Sequence, residues 1–299
     1  MGWLPEKLVH PWLKKFFTSK DLNHKYLALA ACSVRRENPG EYLKKILERD
    51  DCKQHEKLYA RAIRLVGEIR RQDLMPHLSE AIHSEQEDIR FWSICSTVLL
   101  GNHAAVTKLE PYVFHSGPHQ SKAVNLAFKV LPVEQARSWI SKLVTNAEQS
   151  RIVIKATGVL GDPHAVNWLI TKMREPTQAK LAAEAFTLIT GINLQQYHLV
   201  ADDIAAIEQL NDDADDEDIS LDEDENLPYP DAEKVATIWM NHGQNFIAGQ
   251  RYFLGRPITV DWLKNKRNTG NQRQRHLADL ELNLLGDTPL HNTRARISV

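Results

Sequence analysis

A repeating unit of about 30 residues sets the limits on how this chain folds. Ala62–Ile82 (AIRLVGEIRRQDLMPHLSEAI) matches Val153–Met173 (VIKATGVLGDPHAVNWLITKM), with Gly67 aligned to Gly158 and Leu78 to Leu169, both at an offset of 91 residues, or three units. Between them Leu109 and Ile140 take the position of Leu78, so successive anchors stand 31, 31 and 29 residues apart. An earlier copy from Leu27 puts Leu43 at the anchor with a 35-residue step, and Ala179–Ile192 supplies a later first helix. Five helix pairs and the start of a sixth are counted in this way.

Each unit has a first helix rich in small residues, a turn with Gly, Pro or Asp, and a second helix anchored by Leu, with apolar residues at i, i+3 and i+4. Ala30, Ala31, Ala62, Gly67, Ala123, Ala127, Ala156 and Gly158 let neighbouring helices approach closely, and no single pair can bury its own apolar face. The expected fold is therefore all-α, a HEAT-like α-solenoid of antiparallel helix pairs. Asp162-Pro163 marks a break between two helices, with His164 solvated just beyond it. The expected organisation is an N-terminal capping or docking helix over 1–23, the repeat array over 24–200, an acidic linker over 201–226 and a C-terminal helical module over 227–299.

Composition agrees with helices: 42% of residues are hydrophobic, 25% charged and only 7% aromatic. A formal charge of -2 argues against the whole-surface basic footprint that non-specific nucleic-acid binding uses. Cys32, Cys52 and Cys95 are odd in number and form no CxxC pair, so buried reduced thiols in a cytoplasmic protein are expected. The opening MGWLPEKLVHPWLKKFF interrupts its apolar residues with Pro5, Glu6, Lys7, His10, Lys14 and Lys15, which suits an amphipathic helix and neither a signal peptide nor a membrane span.

Asp212–Glu225 (DDADDEDISLDEDE) holds ten carboxylates in fourteen residues, too dense in like charge for a compact helix. It lacks the Gly and ligand spacing of an EF-hand loop and reads as a solvated linker or as a contact for a basic partner. Lys264, Lys266, Arg267, Arg273, Arg275, Arg294 and Arg296 form a modest basic cluster downstream, which suits a solvated helix face or an intramolecular match to the acidic run better than nucleic acid. Catalytic signatures are missing from the sequence: it has no HExxH, GxSxG, P-loop or strand-borne GxGxxG, and Cys52 with His55 lacks a third partner. No catalytic, cofactor-binding or metal-ligating residue is assigned, and no cofactor is expected.

The helix pairs over Leu27–Ile192 resemble HEAT and bilin-lyase-type HEAT-like repeats. More specifically, LALAACSVRRENPGEYL, EAFTLITGINL, LPYPDAEKVATIWMNHGQNFIAGQRYFLGRPIT and GNQRQRHLADLELNLLGDTPLHNT together resemble an uncharacterised bacterial HEAT-like family often encoded beside type VI secretion genes. Glu184, Phe186, Thr190, Gly191, Pro228, Pro230, Trp239, Phe246, Gly249, Arg251, Gly255 and Arg275 match its pattern. Family members are usually longer at the N-terminus, so this chain is expected to lack an initial segment. The resemblance implies an accessory role, as adaptor, chaperone or immunity-like partner of a secreted protein, and carries over no catalytic residue.

The expected function is a non-catalytic protein-binding scaffold for a secretion-spike or effector protein, without membrane or nucleic-acid partners. The alternatives are an immunity-like partner of a secreted toxin and a HEAT-like enzyme of the bilin lyase or DNA glycosylase type. Trp92, Trp139 and Trp168 read either as core or as partner-facing anchors. The other candidate protein-binding residues are Asp215 and Asp216 in the acidic run, with Tyr229, Trp239, Phe246, Arg251, Tyr252 and Arg275 in the C-terminal module.

Overall fold

The periodic segments do become helices: the computed structural model, which describes residues 4–202, 224 and 226–291, is about 70% helical, with 16 α-helices among those residues. It divides into two compact units, Met1–Leu126 with Val260–Val299, and Ala127–Thr259. Asp215 and Asp216 lie outside the described residues, as do Arg294 and Arg296. No helix among the described residues is long and apolar enough to cross a membrane.

The first unit contains α1 (Glu6–Thr18), α2 (Leu22–Arg35), α3 (Glu41–Glu48), α4 (Asp50–Lys53), α5 (Glu56–Glu68), α6 (Met75–Ala81), α7 (Glu87–Leu99) and α8 (Glu110–Phe114). The division falls within α9 (Gln120–Val130). On α1, Val9, Leu13 and Phe17 are buried at a four-residue spacing while Leu8 and Trp12 stay exposed, the amphipathic pattern its sequence predicts. Helices α1, α2, α5 and α7 pack in sequence, each against the next, and the short α3 and α6 pack on α5 and α7 respectively. Close approach requires Gly67, since a β-carbon there would lie 2.6 Å from the Ser96 α-carbon. Ser96 Oγ in turn donates to the Ile63 carbonyl at 2.8 Å.

Two further helices of this unit come from far along the chain, α15 (Val260–Thr269) and α16 (Gln272–Leu284), with Gly270 between them. The side chain of Asn271 and that of Gln274 form a reciprocal capping box that starts α16. Helix α16 packs on α7. Arg70 Nη1 donates to the Asn283 carbonyl at 2.7 Å, and Leu290 N–H donates to the Glu68 carbonyl at 3.2 Å. Compactness thus cuts the chain differently from the linear order of the sequence, and the residues after the acidic run are shared between both units.

The second unit contains α10 (Val133–Val144), α11 (Ser150–Leu160), α12 (Val166–Lys172), α13 (Pro176–Thr190) and α14 (Ala232–His242), followed by a small antiparallel hairpin, β1 (Tyr252–Phe253) with β2 (Arg256–Pro257). Gly158 plays the part of Gly67, with a β-carbon there lying 2.9 Å from the Ala185 α-carbon. The Leu anchors are completely buried at Leu43, Leu78, Leu109 and Leu169. Ile140 is the exception: it is half-buried, and its expected place is taken by Trp139, buried with Ala136 and Leu143. Pro132 starts α10 immediately after Leu131, and that start turns the 136, 139, 143 stripe inward.

Candidate interaction face

The C-terminal motif residues serve mainly to close helices. The hairpin loop, Leu254 and Gly255, has positive φ at both positions (50° and 83°), the geometry a two-residue hairpin needs. Leu254 N–H donates to the Leu188 carbonyl at 2.6 Å and Gly255 N–H to Ile189 at 3.0 Å, filling acceptors that the end of α13 leaves open. Tyr252 N–H does the same for Gly161 beyond α11 at 2.8 Å. Arg251 donates to the carbonyls of Leu160 (Nε, 3.0 Å) and Lys129 (Nη1, 2.5 Å). Gly161, Gly191 and Gly255 all sit at positive φ where a β-carbon would strike this junction. Buried Asp162 completes it, receiving Gly249 N–H at 3.0 Å and Arg137 Nε at 2.7 Å.

Aromatic residues of the same unit adjoin this junction. Trp239 tilts against Phe246 (ring centroids 5.3 Å apart), and Phe246 against Tyr252 (4.9 Å), while Trp239 meets Phe186 edge-on at 6.2 Å. Tyr229 is buried, and Trp139 meets Phe128 in the core. Trp168 is half-buried with Lys172 5.8 Å from its ring. Arg275, in the first unit, donates from Nε to the Arg267 carbonyl at 3.0 Å. The structure therefore gathers Trp239, Phe246, Arg251 and Tyr252 into one internal joint, with Trp168 packed against the same core as Trp239 and Trp92, Trp139, Tyr229 and Arg275 elsewhere.

Trp92 has the most informative surroundings. It lies half-buried on α7 with the Arg64 guanidinium 4.1 Å from its ring centroid. One turn earlier on α5, Arg61 lies 5.8 Å from the ring of Tyr26 on α2. Lys57 precedes Arg61 by four residues and shares its helix face. Lys122 on α9 follows by three residues His119, which stacks on Phe91 of α7 and bonds to Asp88, and it and Arg64 both lower the thiol of Cys95. Burial outweighs both cations and pushes that thiol up to about 12. Glu68, itself buried, pairs with Arg64 Nε at 2.7 Å and with Arg36. Lys57, Arg61 and Lys122 have no carboxylate partner among the described residues. Sequence reasoning singled out Trp92 but missed these cations, although Arg61, Trp92 and Lys122 recur at steps of 31 and 30 residues.

No family model matches this chain, and no curated protein or solved structure is found to match it.

Two other constellations have simpler explanations. Cys52 is buried, its thiol raised by burial and then by Asp51, and His55 Nδ1 accepts the Leu58 N–H as the cap of α5. A cleft of about 570 Å³ in the first unit is lined by Arg90 and Lys108 but also by Glu87 and Glu110, a balance of charge that selects no ligand sign. His119 lies at its edge, stacked on Phe91 with centroids 4.0 Å apart and bonded through Nε2 to Asp88 at 2.7 Å. Cys32 is likewise held neutral, its thiol pushed up to about 12 by burial.

Proposed function

We propose that this chain is a non-catalytic protein-interaction scaffold, a HEAT-like α-solenoid acting as an accessory adaptor or chaperone for a type VI secretion component or effector in the cytoplasm. The observation that carries the binding role is the first unit's face of Tyr26, Arg61, Arg64 and Trp92, where Arg61, with no carboxylate partner among the described residues, lies over the Tyr26 ring and Arg64, paired with Glu68, lies over Trp92. Trp and Arg are the side chains that dominate protein interfaces, because they combine large contact area with directed hydrogen bonds. The stacking order of α1, α2, α5 and α7 supports the solenoid reading, since each of these helices packs on the next. The secretion partner rests on the resemblance of the Thr-Gly, Pro-Tyr and RYFLG segments alone.

Isolation of the tagged full chain from a native lysate, with identification of co-purifying proteins, tests this reading. Stoichiometric recovery of a secretion-spike or effector protein is the expected result. Recovery of nucleic acid alone, released by salt, overturns it.

A further inference from the structure

We infer that the face built by α2, α5, α7 and α9 in the first unit docks an acidic, extended polypeptide segment of its partner; this rests on the scaffold reading and supplies the chemistry of its contact. Helices α2 and α9 carry no Asp or Glu; on α5 the acids are Glu56, in the first turn, and Glu68, already consumed by Arg36 and Arg64; and on α7 they are Glu87 and Asp88, both in the first turn, with Asp88 bonded to His119. Lys57, Arg61 and Lys122 form no ion pair with a carboxylate among the described residues. A cationic surface of this sort costs folding energy through self-repulsion and is explained by a partner of opposite sign.

The manner in which the guanidiniums are held narrows the partner. Arg64 lies over the Trp92 ring and bonds through Nε to Glu68, so its orientation is set before binding. A guanidinium already oriented by a ring and a carboxylate loses less entropy on docking a further carboxylate through its remaining N–H groups. The rings favour polypeptide over single-stranded nucleic acid. Base recognition needs open aromatic faces, whereas the ring of Trp92 is covered by Arg64 and that of Tyr26 is approached by Arg61.

Titration of the full chain with poly-L-glutamate and, separately, with oligo-dT of equal charge tests the inference, at two salt concentrations. Poly-L-glutamate is expected to bind more tightly than oligo-dT. The double variant Arg61→Glu/Lys122→Glu is expected to weaken its binding on the order of tenfold, with unchanged helical circular dichroism. The control Lys44→Glu/Lys45→Glu, on α3, removes the same charge elsewhere and is expected to leave affinity within about twofold. Tighter binding of oligo-dT, equal losses in both double variants, or no binding of poly-L-glutamate overturns the inference. Failure of the scaffold reading has a different signature: no protein would then co-purify with the unmodified chain, whatever poly-L-glutamate does.

Discussion

Single residues in this protein are constrained most where backbone meets backbone. Gly161 has φ of +75° and a β-carbon there would lie 2.2 Å from the Tyr252 carbonyl oxygen. Left-handed geometry alone costs a residue with a β-carbon about 1–2 kcal/mol, and the clash adds to it. Gly161→Ala is therefore expected to lower unfolding free energy by more than about 2 kcal/mol in urea titration, while Gly117→Ala, with open space around it, should cost little. The thiols of Cys32 and Cys95 are raised to about 12 from the ordinary value of 9. Because the folded state holds their protons more tightly, their contribution is complete below pH 9 and is lost as pH rises from about 9 towards about 12. Stability measured across that range should fall, and less steeply in Cys95→Ala. At neutral pH a thiol reagent should label both only at the rate of opening.

At the scale of elements, the hairpin acts as a cap shared by two helices, and Arg251 is its most exacting part. Arg251→Ala leaves the carbonyls of Leu160 and Lys129 without their donor, at a cost of about 1–3 kcal/mol each. Hydrogen exchange should report this as faster opening at the C-terminal end of α11 with α2 unaffected. Asp231 accepts the N–H groups of Glu233 and Lys234 at the start of α14, and these bonds with the Lys234 ammonium hold its carboxyl below the usual range. Asp231→Ala should cost about 1 kcal/mol. The wild-type cap contribution is present at neutral pH and is lost as pH falls through the depressed titration of this carboxyl.

Helices were legible because burial repeats in the sequence: the Leu anchors and the Gly67 and Gly158 contacts follow from periodicity and side-chain size. The hairpin was not, since RYFLG has no alternating pattern and its bonds run to carbonyls about 65 to 122 residues away. Arg251 and Tyr252, singled out as partner contacts, take part in this joint. Unpaired charge at Arg61 and Lys122 was equally hidden, because whether a cation has a partner depends on neighbouring helices and not on spacing along one.

For the molecule as a whole, the main consequence comes from where each unit draws its chain. Glu68 is a shared acceptor: its carboxylate holds Arg36 and Arg64, and its carbonyl receives Leu290. Glu68→Gln should weaken both ion pairs, destabilise the first unit by about 2–3 kcal/mol and loosen Arg64 from Trp92. The last change should be visible as altered Trp fluorescence. A chain stopped after Thr259 should lose protection in α5 and α7 by hydrogen exchange, although every repeat helix is still encoded.

During synthesis, residues 127–259 leave the ribosome before α15 and α16 exist, so the middle of the sequence can reach its final contacts while the first unit still lacks its closing helices. The support of α5 and α7 is then completed late, by residues far downstream that pack on α7 and bond to Arg70 and Glu68. A prematurely ended product would carry Lys57, Arg61, Trp92 and Lys122 on a loosened support, and its affinity for an acidic partner should fall with it. Binding is thus expected to require synthesis through α15 and α16, with interrupted copies competing poorly against finished ones.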